Sequence, residues 1–82
     1  MKTIVLDEHT LGIVHKIGTY EHDGMEAFHL EILRTSIVKG SPHPSMGLIA
    51  FDPILDAGRF RPANEQDFLD FGVVFHPDYL DS

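Results

Sequence analysis

Between residues 3 and 33 large apolar side chains recur at every second position: Ile4 and Leu6, Leu11 and Ile13, then Phe28, Leu30 and Ile32. A period of two is that of a strand with one buried face. Asp23-Gly24 interrupts the pattern and is a strong signal for a two-residue hairpin loop, because a type I′ turn needs positive φ at both central positions. With those two residues as the loop, Ile17 faces Leu30, Lys16 faces Glu31, His15 faces Ile32 and Val14 faces Leu33. A second tight turn near Glu8-His9 sets Leu6 against Leu11 and Ile4 against Ile13. The two hairpins then collect Ile4, Leu6, Leu11, Ile13, Ile17, Phe28, Leu30 and Ile32 on one core face. Thr3, Val5, Asp7, Val14, Lys16, Tyr20, Ala27, His29, Glu31 and Leu33 fall on the other, mixed face. The competing reading is a helix over Met25–Thr35, begun by the good helix formers Met25, Glu26 and Ala27. The turn signal and the Phe28/Leu30/Ile32 alternation favour a strand.

Residues 35–46 carry the signals of a loop, with Pro42 and Pro44 excluding regular structure around them. Gly47–Phe51 is a short apolar run suited to a buried strand, ended by Asp52-Pro53. Residues 54–61 give no clear element, although Leu55 and Phe60 are expected to pack and Gly58 to mark a bend. A helix is predicted from Pro62 to Gly72. Asn64 is its N-cap, Asp67 completes a capping box, and Ala63 and Phe68 occupy the staple positions. Glu65 and Asp67 suit the positive end of the helix dipole, and Gly72 suits the left-handed position past the last turn. Val73–Phe75 is expected to form a final strand.

The resulting fold class is α+β, in a single domain over residues 1–82. A small antiparallel sheet combines the N-terminal meander with one or two further strands, and one short helix lies near 64–72. A two-turn helix cannot cover three strands alone. The sheet must therefore curl towards a small barrel, gather its loops, or meet a second copy as a homodimer.

Composition narrows the chemistry. The chain has 82 residues, 43% of them hydrophobic and 23% charged, in the normal globular range. It has no Cys, which excludes disulfides, thiolate metal sites and a Cys nucleophile. The formal net charge is −7, so direct nucleic-acid binding is disfavoured, since that needs Lys and Arg to displace phosphate counterions. Anionic membranes are disfavoured for the same reason. No secretory leader or membrane-length apolar run is apparent, and the expected location is the cytoplasm.

The six histidines are His9, His15, His22, His29, His43 and His76. They suggest metal or small-ligand binding as an alternative function, but no ligand spacing such as His-x-x-x-His appears. In the hairpin register above, His15 and His29 lie on opposite sheet faces and cannot share an ion. No metal site and no cofactor are expected. Asp67 and Asp70 share a helix face, yet their simplest role is solvation opposite Phe68 and Phe71. No nucleophile elbow and no phosphate-binding glycine loop is present, and no enzyme is expected.

The C-terminal third is the most distinctive region. Its last 19 residues hold Glu65, Asp67, Asp70, Asp78 and Asp81 but no Lys or Arg. Aromatic and aliphatic residues stand among these carboxylates. The expected function is therefore a small acidic, non-catalytic module that docks on a basic protein surface. Glu65, Asp67, Asp70 and Asp78 would supply charge, and Tyr79 and Leu80 the buried anchor. Such size and charge are common among inhibitors and accessory factors of phages and mobile elements, some of which mimic nucleic acid. A homodimeric scaffold is a further alternative.

Overall fold

The computed structural model describes residues 3–19, 24, 26–36 and 47–80. Five strands form one antiparallel sheet: β1 (Thr3–Leu6), β2 (Thr10–Thr19), β3 (Glu26–Thr35), β4 (Gly47–Phe51) and β5 (Phe60–Pro62). A short helix α1 (Glu65–Phe71) and a 3-10 turn at Pro77–Leu80 follow. The strand order is β4-β3-β2-β1-β5. Residues 26–35 are thus a strand and not a helix. The expected loop at 35–46 begins one residue late, because Thr35 closes β3; beyond Ser36 it lies outside the described residues.

Both hairpin registers differ from the expected ones. Leu6 pairs with Thr10 rather than Leu11, a displacement of one residue. Val14 pairs with Leu30 rather than Leu33, a displacement of three. An odd displacement turns a strand over. Two of them invert β2 against both neighbours, and β1 and β3 remain matched. Ile4, Leu6, Phe28, Leu30 and Ile32 therefore share a face as expected, but Leu11 and Ile13 leave it for the face of Thr3 and Val5. Val14 takes the vacated side, and Ile17 is exposed.

The causes are local. The first turn centres on Asp7 and Glu8, whose φ values of 53° and 59° are left-handed, with His9 N–H donating to Leu6 C=O at 3.0 Å. Register shifts interrupt β2–β3 at Leu11/Gly12 and at Lys16/Gly18. The last described pair, Thr19 with Glu26, is two residues out of the register that a two-residue loop at Asp23-Gly24 extrapolates to; the predicted loop itself, with Asp23, lies outside the described residues.

The first face is concave. β4 and β5 stand at opposite ends of the sheet, yet the rings of Phe51 and Phe60 meet edge-on at 5.1 Å. The sheet must curl to bring them together, although β4 and β5 do not pair and no barrel closes. Inside the curl lie Ile4, Leu6, Leu30 and Phe51, flanked by Val14, Phe28, Ile49 and Phe60. Gly12 makes this curl possible. A Cβ there would stand 2.8 Å from both the Glu31 carbonyl oxygen and the Leu30 side chain, so Leu30 closes over bare backbone. Leu55, expected to pack, is 81% exposed at the tip of the β4–β5 turn. Asp52 organises that turn by accepting the N–H groups of Ile54 and Leu55 on one carboxylate oxygen.

The second face is covered by α1. Val5, Leu11, Ala63 and Phe68 form its core, flanked by Leu33, Phe71, Val73, Phe75 and Tyr79. The helix has the predicted ends. Asn64 Oδ1 accepts the Asp67 N–H at 3.1 Å while Asp67 Oδ2 accepts the Asn64 N–H at 2.8 Å. At the other end Gly72 has φ 72°. Its N–H donates to Leu69 C=O and the Val73 N–H to Phe68 C=O, the paired bonds of a Schellman ending. That ending overturns the predicted strand at Val73–Phe75. The chain is reversed onto Phe68 instead of continuing to a sheet edge, and β5 already occupies the free side of β1.

Candidate functional site

Arg59, at the end of the turn before β5, and Arg61, within β5, gather four carboxylates. Arg59 donates to Asp7 through Nε at 3.1 Å and to Asp56 through Nη1 at 2.7 Å. Arg61 donates to both oxygens of Glu8, at 2.8 and 3.1 Å, and to both oxygens of Asp67, at 2.8 and 2.7 Å. This lattice ties the strained β1–β2 turn to β5 and to the start of α1. Left-handed backbone costs non-glycine residues on the order of 1–2 kcal/mol each; the arginine pairs at Asp7 and Glu8 offset that cost.

Asp67 is 5% exposed, so it faces the fold and not the solvent. Hydrogen bonds from Arg61 hold its carboxyl below the usual range; the Asn64 N–H and the Arg61 charge act the same way, and burial opposes them. Arg59 and Arg61 are shifted upward, chiefly by hydrogen bonds to Asp7 and to Asp67 respectively.

The other expected docking residues are placed differently. Glu65 and Asp70 lie exposed on α1, and Asp70 accepts a hydrogen bond from Gln66 Nε2 at 2.9 Å. Neither makes an ion pair with a cation among the described residues. Asp78 is exposed on the 3-10 turn, where its N–H donates to His76 Nδ1 at 3.2 Å. Tyr79 is half-buried and stacks on Phe68 with ring centroids 5.1 Å apart. Its carbonyl oxygen accepts a hydrogen bond from the Thr3 hydroxyl. Leu80 is exposed.

Two apolar residues missing from the expected set join this surface. Leu69 is 74% and Val74 88% exposed. With Glu65, Gln66, Val73 and Phe75 they line an open groove of about 430 Å³. Leu69 could have been found from helical spacing. Residues three and four apart share a helix face, so Leu69 falls on the exposed face of Glu65 and Gln66. The cation nearest the helix end is Arg34, whose Nη1 lies 3.6 Å from where a Cβ at Gly72 would stand. That position complements the negative end of the helix dipole.

The observed register also changes the histidine picture. His15 and His29 are direct cross-strand partners on one sheet face, not on opposite faces, and His15 Nε2 lies 2.8 Å from Glu31 Oε1. His15 is exposed. Among the described residues no three His, Cys, Asp or Glu side chains stand in a metal-binding arrangement. No described helix is long and apolar enough to cross a membrane.

Comparisons with protein-family models, with curated proteins and with solved structures find no match to this chain.

Proposed function

We propose that the protein is a non-catalytic docking module that binds a basic protein surface through the groove of α1 and residues 73–80. One observation carries this reading. Leu69 and Val74 stand almost fully exposed beside carboxylates that the chain's own arginines leave uncompensated. Apolar side chains that project into water and are rimmed by charge of one sign fit an interface with a buried centre and a steering periphery. Glu65, Asp70 and Asp78 supply the periphery, and Leu69, Val74 and Leu80 the centre. Asp67 and Tyr79 act from within, by fixing the helix start and bracing Phe68. An inhibitor or accessory factor of the phage or mobile-element type, working in the cytoplasm, is the setting in which such a module would serve.

Comparing Glu65→Gln/Asp70→Asn/Asp78→Asn with the parent protein tests the proposal. All three side chains are exposed, so the fold should be unchanged. Each exposed charge contributes on the order of 0.2–1 kcal/mol, so affinity for a basic partner should drop by roughly threefold to 150-fold. The parent's affinity should also weaken steeply between low and high salt. Binding indifferent to salt and to all three substitutions would remove the proposal.

A further inference from the structure

The two edges of the sheet are not alike. β5 spans three residues, Phe60-Arg61-Pro62. Pro62 has no N–H to offer, and Arg61 is a charged edge residue engaged by Glu8 and Asp67. Short length, proline and charge are the devices that protect a sheet edge from pairing. β4 has none of them. Its sequence Gly47-Leu48-Ile49-Ala50-Phe51 has no charge and no proline. Leu48 is 61% exposed, and β3 is the strand's only partner among the described residues.

We infer that β4 pairs antiparallel with β4 of a second copy of this chain, forming a two-fold dimer with a continuous ten-stranded sheet. Three observations select a second copy over an unrelated strand. The first is self-complementarity. In the symmetric register centred on Ile49, Leu48 lies directly opposite the small Ala50 of the other copy, on the same side of the sheet. Both residues are exposed in the single chain, and the large side chain covers the small one twice.

The second is charge. The whole chain is strongly acidic, but β4 itself carries no charge; of the nearby carboxylates on β3, Glu26 pairs with the Lys16 ammonium at 3.0 Å and Glu31 lies at hydrogen-bond distance, 2.8 Å, from His15 Nε2. Two copies can approach along this edge with little local repulsion. The third is closure. Pairing β4 with itself uses the unprotected edge of both copies, and the guarded β5 edges then end the sheet. An isologous interface of this kind closes at two. The inference stands apart from the docking proposal, since α1 packs towards the other end of the strand order, against Val5 of β1 and Leu11 of β2.

The test is sedimentation equilibrium over a wide range of protein concentration, alongside hydrogen exchange of the β4 amides. The parent should pass from 9.2 kDa to twice that mass as concentration rises, and protection at residues 47–51 should grow in step. The variant Leu48→Lys/Ala50→Lys, which places ammonium groups opposite one another across the two-fold axis, should raise the dimer dissociation constant at least about tenfold. Its unfolding transition should match the parent's. A parent that stays at 9.2 kDa throughout overturns the inference. So does a dimer whose β4 amides gain no protection, or one that persists undiminished in the folded variant; either result places the contact on another surface. Should the variant not fold, the exchange of the parent's β4 amides alone decides the matter.

Discussion

Phe68→Ala is expected to destabilise the fold by about 3–5 kcal/mol, the range for emptying a buried aromatic site. Phe68 has no exposed surface. Its ring stacks on Tyr79 and meets Phe75 edge-on at 5.3 Å. It is also the residue over which the helix ending turns, since the Val73 N–H donates to its carbonyl. Removing the ring withdraws the common support of α1 and the segment that follows. A domain of this size has a total stability of order 5–15 kcal/mol, so the loss would leave the variant near unfolding at physiological temperature. Leu69→Ala, one residue further along the same helix, should change stability by less than about 0.5 kcal/mol, as surface substitutions do. Chemical denaturation of both variants checks the contrast. Equal effects would mean that the helix does not bury the face described.

The second large effect is expected at Arg61. Arg61→Ala leaves Asp67 nearly buried with only the Asn64 N–H in compensation, and takes the two Arg61 hydrogen bonds from Glu8 in a left-handed turn. Breaking a sealed ion pair costs about 3–5 kcal/mol. Water reaches Arg61, whose side chain is 40% exposed, so a loss of about 2–3 kcal/mol is expected after allowing for that screening. The pH dependence carries the same signature. A carboxyl whose pKa is lowered by folding stabilises the native state above its unfolded value, near 4, and loses that contribution as pH falls through the lowered value. The parent should therefore weaken from about pH 4 downward through Asp67. Arg61→Ala abolishes the main cause of the lowering, so its stability should fall less over the same acid range. Denaturant midpoints from pH 7 to pH 2 give both readings. An identical acid slope in the two proteins would show that Arg61 does not hold Asp67.

These two sites mark what could be read in the residues beforehand. The helix caps were legible because their signals are local: Asn64 and Asp67 are three apart, and Gly72 needs only its own φ; the predicted start at Pro62 was too early, since Pro62 closes β5. The presence of β1 to β4 was legible for a similar reason, since alternation lies within each strand. Register was not. It depends on which residues occupy a turn and on where bulges fall. Asp7-Glu8 is an uncommon left-handed pair whose support comes from Arg59 and Arg61, more than 50 residues away. Asp67 was legible as the capping-box acid, but the same long-range lattice hid its burial against Arg61. β5 was invisible because three residues ending in proline carry no alternation. Val73–Phe75 has a strand's composition, but the helix ending turns it onto Phe68, and β5 already holds the free side of β1. Of the docking face, the exposed acids Glu65, Asp70 and Asp78 could be read directly. Leu69 was within reach of helical spacing, whereas Val74 emerged only once the segment after Gly72 was seen not to join the sheet.

The most direct measurement is an amide chemical-shift map of the labelled protein titrated with its basic partner, recorded at low and at high salt. Docking through the acidic groove predicts perturbations concentrated at Glu65, Leu69, Asp70, Val74 and residues 78–80, fading as salt rises. Perturbations confined to the β4 edge or the β1–β2 turn, with the helix and the segment after it silent, would contradict it.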